Sequence, residues 1–103
     1  MYARLVTFSG ADESKRGAMT ETMQETVLPM LRTFDGFAGY IALQDAANGR
    51  AQATILWDTR EAAETAEETL AERRVQIAAS VGLTVESADL YEAPIVELEA
   101  ARV

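Results

Sequence analysis

Two residue types that carry much of the reactive side-chain chemistry of proteins are missing from this 103-residue chain. It contains no cysteine, which excludes disulfides, thiolate metal ligands and thiol nucleophiles. It contains no histidine either, which excludes Ser-His-Asp and Cys-His catalysis and any zinc, copper or haem held by imidazole. Carboxylates, tyrosines and the backbone remain as metal ligands, but no EF-hand, phosphate-binding loop or dinucleotide motif occurs. The sequence therefore predicts neither a metal nor a cofactor.

Basic side chains are also scarce, and long apolar runs are absent. Nine lysines and arginines stand against 17 acidic residues, which gives a net charge of −8. Phosphate backbones and anionic lipids repel such a chain, so binding to nucleic acid or to a membrane surface is disfavoured. No stretch approaches the ~20 apolar residues of a transmembrane helix, and no signal-peptide run follows the strand-like N-terminus. We expect a cytoplasmic protein whose acidity serves solubility.

The distribution of apolar residues predicts four strands and two helices. Alternation along the chain is typical of strands, whereas apolar residues at every third or fourth position are typical of helices. The predicted strands are Tyr2–Ser9, 37–44, 51–57 and Thr84–Glu92. One helix follows the first strand and the other follows the third. We therefore predict a single α+β domain over residues 1–103, a ferredoxin-like βαββαβ sandwich with an antiparallel sheet.

Turn and cap residues mark where these elements begin, bend and end. Pro29 lies inside the first helical pattern and should kink it, because proline removes a backbone donor. Asn48-Gly49 predicts a tight hairpin, since both residues tolerate positive φ. Asp58 and Glu61 have the spacing of a capping box at the start of the second helix.

The second strand is predicted to be apolar on both sides. Phe37, Ile41 and Leu43 fall on one side, and Tyr40 and Ala42 fall on the other. Right-handed crossovers place both helices on one face of the sheet, so the other face needs a different cover.

A homodimer formed through this sheet face is the simplest cover. The alternative is that the apolar face stays exposed. Residues 94–103 form a C-terminal extension whose apolar residues suggest exchange with the dimer partner, where the segment could add a strand. The sequence thus predicts a chain that is complete only as a dimer.

Three short segments resemble antibiotic biosynthesis monooxygenase domains. They are LPMLR at 28–32, GFAGY at 36–40, and LWD at 56–58 leading into the second helix. The resemblance also extends over nearly the whole chain in element order. It implies a dimeric α+β barrel with a pocket between the sheet and the helices of each subunit. In oxygenase members it implies a reaction without metal or flavin, in which an electron-rich phenol or hydroquinone loses a proton and donates electrons to oxygen.

The chain departs from that family in two respects. Some oxygenase members place an Asn beside the substrate, but the only Asn here is Asn48 in the predicted hairpin. Haem-degrading relatives bind iron through a His on the second helix, and this chain has none. Haem chemistry of that kind is therefore disfavoured, and the oxygenase role lacks an expected participant.

Arg74 and Tyr40 are the candidate catalytic residues. Arg74 interrupts the apolar stripe of the second helix, where it could stabilise an anionic phenolate or superoxide. The alternative is that its side chain reaches solvent or pairs with a carboxylate. Tyr40 could orient or deprotonate a phenolic ligand, or simply reach solvent or a backbone carbonyl.

Five further residues are candidate substrate-binding residues. Trp57 could stack on a planar ligand or anchor the core beside the second helix. Met23 belongs to a methionine stripe that could form an adaptable pocket wall or plain core. Arg4 could stabilise negative charge or form an intersubunit ion pair. The set is Trp57, Arg4, Met23, Phe34 and Tyr91.

These residues lead to one functional hypothesis and two alternatives. The first is a cofactor-independent monooxygenase-like protein acting on a small aromatic or quinol substrate. The second is a non-catalytic dimeric ligand-binding or stress-related module, and the third has its pocket filled by side chains. An open cavity lined by Trp57 and an arginine would favour the first two, and a filled cavity the third.

Overall fold

A four-stranded antiparallel sheet organises the chain. The computed structural model describes residues 1–99 of it. The strands are β1 (Tyr2–Ser9), β2 (Phe37–Asp45), β3 (Arg50–Trp57) and β4 (Thr84–Glu92). They lie in the order β2-β3-β1-β4, and each neighbouring pair is antiparallel. With helices between β1 and β2 and between β3 and β4, this order confirms the predicted ferredoxin-like α+β fold.

The helical segments between β1 and β2 and between β3 and β4 pack on one face of this sheet, and a further 3-10 turn forms the loop between β2 and β3. In chain order they are a 3-10 turn (Glu13–Lys15), α1 (Arg16–Thr22), a π segment (Met23–Val27), α2 (Leu28–Leu31), a second 3-10 turn (Ala46–Asn48) and α3 (Arg60–Ser80). Among residues 1–99, no helix combines the length and the apolarity needed to span a membrane.

A π segment, Met23–Val27, precedes Pro29, and the kink predicted there stays a prediction. Proline cannot donate to the carbonyl of Glu25, four residues earlier, and its ring crowds that carbonyl. The helix widens instead, and the backbone N–H of Leu28 donates to the carbonyl of Met23, five residues earlier. A π turn of this kind accommodates the proline without ending the helical stretch 13–31.

Thr59, not Asp58, caps α3, so the predicted capping box was wrong. The Thr59 hydroxyl accepts a hydrogen bond of 3.0 Å from the backbone N–H of Ala62. Asp58 instead donates its backbone N–H to the Gly36 carbonyl at 2.8 Å. This bond ties the start of α3 to the turn before β2.

Trp57 forms the centre of the hydrophobic core and is only 2% exposed. Its ring lies edge-on to Phe34 and Phe37, with centroid distances of 6.3 and 6.0 Å. Phe37 reaches this position because the register of β2 on β3 shifts between Phe37 and Gly39. The shift turns Phe37 toward the helices, so the prediction that it shares a face with Ile41 was wrong.

The sheet face away from the helices carries exposed apolar side chains. Ile41, Leu43 and Tyr91 lie there, and Leu43 is 52% exposed. No helix from residues 1–99 covers this face. As predicted, helices cover one face of the sheet and leave apolar side chains exposed on the other.

Candidate functional site

An inner cavity of about 90 Å³ lies between the sheet and the helices. Its walls combine the helix-facing side chains of β1, β2 and β3 with side chains of the helical stretch 13–31 and of α3. Met19, Met23 and Met30 line it from the helical stretch. Arg74 is the only charged residue among its lining residues within the described part of the chain. The cavity is thus an apolar space with a single cation in its wall.

An open outer groove of about 370 Å³ adjoins the inner cavity. It runs between the helical stretch 13–31 and β2, which is an edge strand of the sheet. Both spaces are lined by Met23, Tyr40, Ala42 and Gln44. The two spaces therefore lie side by side at this edge of the sheet.

Arg74 is held by Glu67, two helical turns earlier on the same face of α3. Its NH1 and NH2 groups donate to the two carboxylate oxygens of Glu67 at 2.8 and 2.7 Å. Arg4 approaches the same carboxylate from β1, with its Nε 3.7 Å from Oε1. The arginine side chains are 10 and 11% exposed and that of Glu67 is 23% exposed. Two guanidinium groups thus share one carboxylate, and no other ion pair of either arginine occurs among residues 1–99.

Tyr40 faces the cavity from β2 and is neutral at physiological pH. Burial raises the pKa of its phenol, while the positive charge of Arg74 acts in the opposite direction. None of the hydrogen bonds between described residues involves its hydroxyl, which can therefore donate to a ligand. The raised pKa argues against the predicted role of Tyr40 as a base, and its orienting role stays a prediction.

The structure brings together only part of the predicted set. Met23, Tyr40 and Arg74 line the inner cavity, and Arg4 joins them through Glu67. Three predicted ligand contacts are placed elsewhere, namely Trp57, Phe34 and Tyr91.

Trp57 and Phe34 do not line the cavity because they pack against each other in the core. Tyr91 lies opposite Ala3 in β1 on the exposed sheet face, where its side chain points away from the cavity. Stacking of a ligand on Trp57 is therefore not supported by the cavity geometry.

Glu67 is the site residue that the sequence analysis missed. Its signal is the seven-residue spacing to Arg74, which places both side chains on one helix face. The spacing alone does not identify Glu67 as a partner of Arg74. The position of Arg4 opposite α3, which only the structure shows, marks Glu67 as the carboxylate between the two arginines. Among the described residues, no group of three or more acidic side chains is arranged to hold a metal ion.

Structural comparison finds several solved proteins with the same fold. A Deinococcus radiodurans protein assigned as an antibiotic biosynthesis monooxygenase superposes with a TM-score of 0.69 and 18% identity, covering 98% of this chain and 100% of that one. A Streptomyces coelicolor monooxygenase from the gene ActVA-Orf6, in complex with nanaomycin D, superposes with a TM-score of 0.69 and 16% identity, covering 96% of this chain and 92% of that one. SnoaB from Streptomyces nogalater, a cofactor-independent oxygenase, superposes with a TM-score of 0.63 and 16% identity, covering 95% of this chain and 97% of that one.

By sequence, neither a family model nor a curated protein matches this chain. At sequence identities of 16 to 18%, the structural similarity establishes the fold alone. It agrees with the resemblance found in the segments 28–32, 36–40 and 56–58. The chain has the fold of an antibiotic biosynthesis monooxygenase domain.

Proposed function

We propose that this chain is a cofactor-independent monooxygenase-like protein that acts on a small aromatic or quinol ligand in the inner cavity. The observation that carries the proposal is the apolar cavity with one cation, Arg74, and one neutral phenol, Tyr40, in its wall. Two proteins of the same fold, from Streptomyces coelicolor and Streptomyces nogalater, are named as a monooxygenase and a cofactor-independent oxygenase. Their names support the reaction class but not a particular substrate.

The lining suits a flat, weakly polar ligand. Apolar walls favour an aromatic ring system, and methionine side chains adapt to its shape because they are unbranched and flexible. At about 90 Å³ the cavity is smaller than the roughly 300 to 1,000 Å³ of typical ligand sites. A ligand must therefore displace side chains such as Met23 on entry.

Arg74 supplies electrostatic stabilisation in the proposed reaction. A phenol or enol bound beside the guanidinium loses its proton more readily, because the positive charge favours the anion. Tyr40 donates a hydrogen bond that fixes the orientation of the ligand. Glu67 holds the guanidinium in place through two hydrogen bonds.

Oxygen then reacts with the electron-rich anion. The anion passes one electron to dioxygen, and the ligand radical and superoxide combine into a peroxide bound to the ligand carbon. For an anthrone, cleavage of the O–O bond turns the CH₂ group into a carbonyl, and the second oxygen atom leaves as water. One dioxygen is consumed for each carbonyl formed, and no external reductant is needed.

No side chain in the cavity wall is suited to act as the base. Tyr40 keeps its proton, and no carboxylate lines the cavity among the described residues. The proton must therefore leave to solvent. The rate of oxygen uptake should consequently rise with pH until the bound ligand is fully ionised.

Oxygen uptake in the presence of an anthrone tests this proposal. We expect uptake well above that of buffer, and a loss of about 100-fold or more in Arg74→Met, as for other removed electrostatic donors. Arg73→Met is the matched control, because Arg73 is the exposed neighbour of Arg74. Arg74→Lys keeps the charge and should retain part of the activity. Uptake equal to that of buffer, or equal rates in Arg74→Met and Arg73→Met, would contradict the proposal.

A non-catalytic ligand-binding or stress-related module is the second candidate function. The lack of a base in the cavity wall favours it. Saturable binding of an anthrone or hydroquinone without oxygen uptake would establish this module. Absence of binding would leave the cavity as a packing feature of the core.

We also propose that two chains form a homodimer through their exposed sheet faces. The apolar side chains of Ile41, Leu43 and Tyr91 need a cover that residues 1–99 do not provide. The exposed segment 94–99 includes Ile95 and Leu98 and fits the predicted exchange with the partner. The rest of the predicted extension, residues 100–103, lies outside the described residues.

Sedimentation distinguishes an 11.2 kDa monomer from a dimer of twice that mass. We expect a dimer for the wild type and for Val75→Glu, and a monomer for Leu43→Glu. Val75 is the matched control because it is 56% exposed, close to the 52% of Leu43, but lies on α3. A monomeric wild type, or a dimer that tolerates Leu43→Glu, would count against this interface. A cytoplasmic location and a single domain over residues 1–103 remain predictions.

A further inference from the structure

The outer groove has a different chemistry from the inner cavity. Arg16, Thr20 and Gln24 follow one another at intervals of four residues, so they lie on one face of the helical stretch. Gln44 faces them from β2, across the groove. Hydroxyl, amide and guanidinium groups thus make up half of the groove lining, and Met23, Leu28, Tyr40 and Ala42 form the rest, whereas apolar side chains dominate the cavity.

Each of the two spaces contains a single arginine and no acidic residue among its described lining residues. Arg74 is the charged residue of the cavity, and Arg16 is that of the groove. The chain as a whole carries a net charge of −8. No carboxylate lines either space among the described residues, although Arg74 is paired with Glu67 and Arg16 with Glu13 outside the two linings.

Arg16 is available to a ligand. Its NH2 group lies 3.2 Å from a carboxylate oxygen of Glu13, and their side chains are well exposed. Exposed pairs of this kind are weak because water screens them. A ligand carboxylate in the groove, assisted by the side-chain amides of Gln24 and Gln44, can replace Glu13 without leaving a buried charge unpaired.

We propose that the outer groove is a second subsite that binds the carboxylate-bearing arm of a ligand whose aromatic part occupies the inner cavity. This inference rests on the proposed function, because it assigns the aromatic part to the cavity of Arg74 and Tyr40. The cavity has little room beyond an aromatic ring even after side chains move, and the larger groove lies beside it. Met23 and Tyr40 belong to both linings, so they contact the ligand where ring and arm join.

Calorimetric titration with two matched probes tests the subsite. One probe is 2-naphthol, and the other is the same naphthol with a propionate arm. In the wild type we expect the propionate probe to bind about threefold more tightly, as for an ion pair at an exposed arginine. Arg16→Gln should remove this advantage and leave the affinity for 2-naphthol unchanged. Gln24→Glu, which places a repelling carboxylate in the groove but not in the cavity, should weaken the propionate probe selectively.

Arg32→Gln is the control for net charge, because Arg32 is exposed at the end of α2 and does not line the groove. It should keep the advantage of the propionate probe. Equal affinities of the two probes for the wild type, or equal effects of Arg16→Gln and Arg32→Gln, would overturn the second subsite and leave the proposed function standing. Failure of both probes to bind would overturn the proposed function itself.

Discussion

Replacement of Glu67 by glutamine should destabilise the protein far more than a typical change on the same helix. Glu67 is the only carboxylate shared by Arg4 and Arg74 in the described structure. Glutamine is nearly the same size and can still accept one hydrogen bond. The substitution therefore removes the negative charge while leaving the packing of α3 unchanged.

The magnitude follows from the burial of the three groups. Removing one partner of a fully buried ion pair costs about 3 to 5 kcal/mol. Glu67 is 23% exposed, and the arginines are 10 and 11% exposed, so solvent reduces this cost. We expect a loss of about 2 to 3 kcal/mol in the free energy of unfolding, since two nearly buried cations then face an uncharged amide. For a chain of this length the melting temperature should fall by roughly 10 to 20 °C.

Thermal and urea denaturation followed by circular dichroism, at a fixed protein concentration, measures this loss. Glu68→Gln is the matched control, because Glu68 is the exposed neighbour on α3, and we expect a change within about 0.5 kcal/mol. The double variant Glu67→Gln/Arg74→Met should recover part of the lost stability, since it removes one of the two cations. Equal stabilities of Glu67→Gln and Glu68→Gln would refute the reasoning.

Two further predictions concern backbone geometry and pH. Gly36→Ala should cost about 2 to 4 kcal/mol, because Gly36 has φ +81° and a Cβ there would lie 2.6 Å from the Ala62 Cβ. In contrast, a Cβ at Gly17 would have no atom within 4 Å, so Gly17→Ala should stabilise α1 by about 0.5 to 1 kcal/mol. Equal stabilities of the two variants in urea denaturation would contradict this. Because burial raises the pKa of Tyr40 above 10.0, the unfolded chain loses this proton first, so stability falls as pH rises above 10. Between pH 9 and 11, the free energy of unfolding should decline less steeply in Tyr40→Phe than in the control Tyr91→Phe. Equal declines in the two variants would show that Tyr40 does not cause the loss of stability.

Regular patterns made the fold predictable from the sequence. Two strands, Tyr2–Ser9 and Thr84–Glu92, have the bounds that their alternation indicated. Local irregularities escaped prediction. Neither the register shift that turns Phe37 toward Trp57 nor the π segment before Pro29 has a periodic signal in the sequence.

The loop between β2 and β3 shows how a correct turn signal can still give the wrong turn. Asn48-Gly49 indicated a tight hairpin with positive φ at both residues. Only Gly49 has positive φ, while Asn48 belongs to a 3-10 turn and donates to the Asp45 carboxylate. The side-chain hydrogen bond stabilises the longer loop, and it depends on a partner outside the dipeptide.

The candidate site was predictable in its parts but not in its arrangement. The break in the apolar stripe identified Arg74, and the apolar second strand contained Tyr40. Trp57 attracted attention as the only tryptophan, but the edge-on packing of Phe34 and Phe37 that buries it depends on three separate elements. Contacts of this kind arise from tertiary packing, which residue spacing within one element does not encode.

The central claim is that Arg74 stabilises the anion of a phenol bound in the inner cavity. Spectrophotometric pH titration of 2-naphthol, which resists oxidation, tests it directly in the presence of saturating protein. The account predicts that the pKa of the bound naphthol lies at least one unit below that of free naphthol, and that Arg74→Met, but not Arg73→Met, abolishes the shift. A bound naphthol whose pKa equals or exceeds that of the free compound would contradict it.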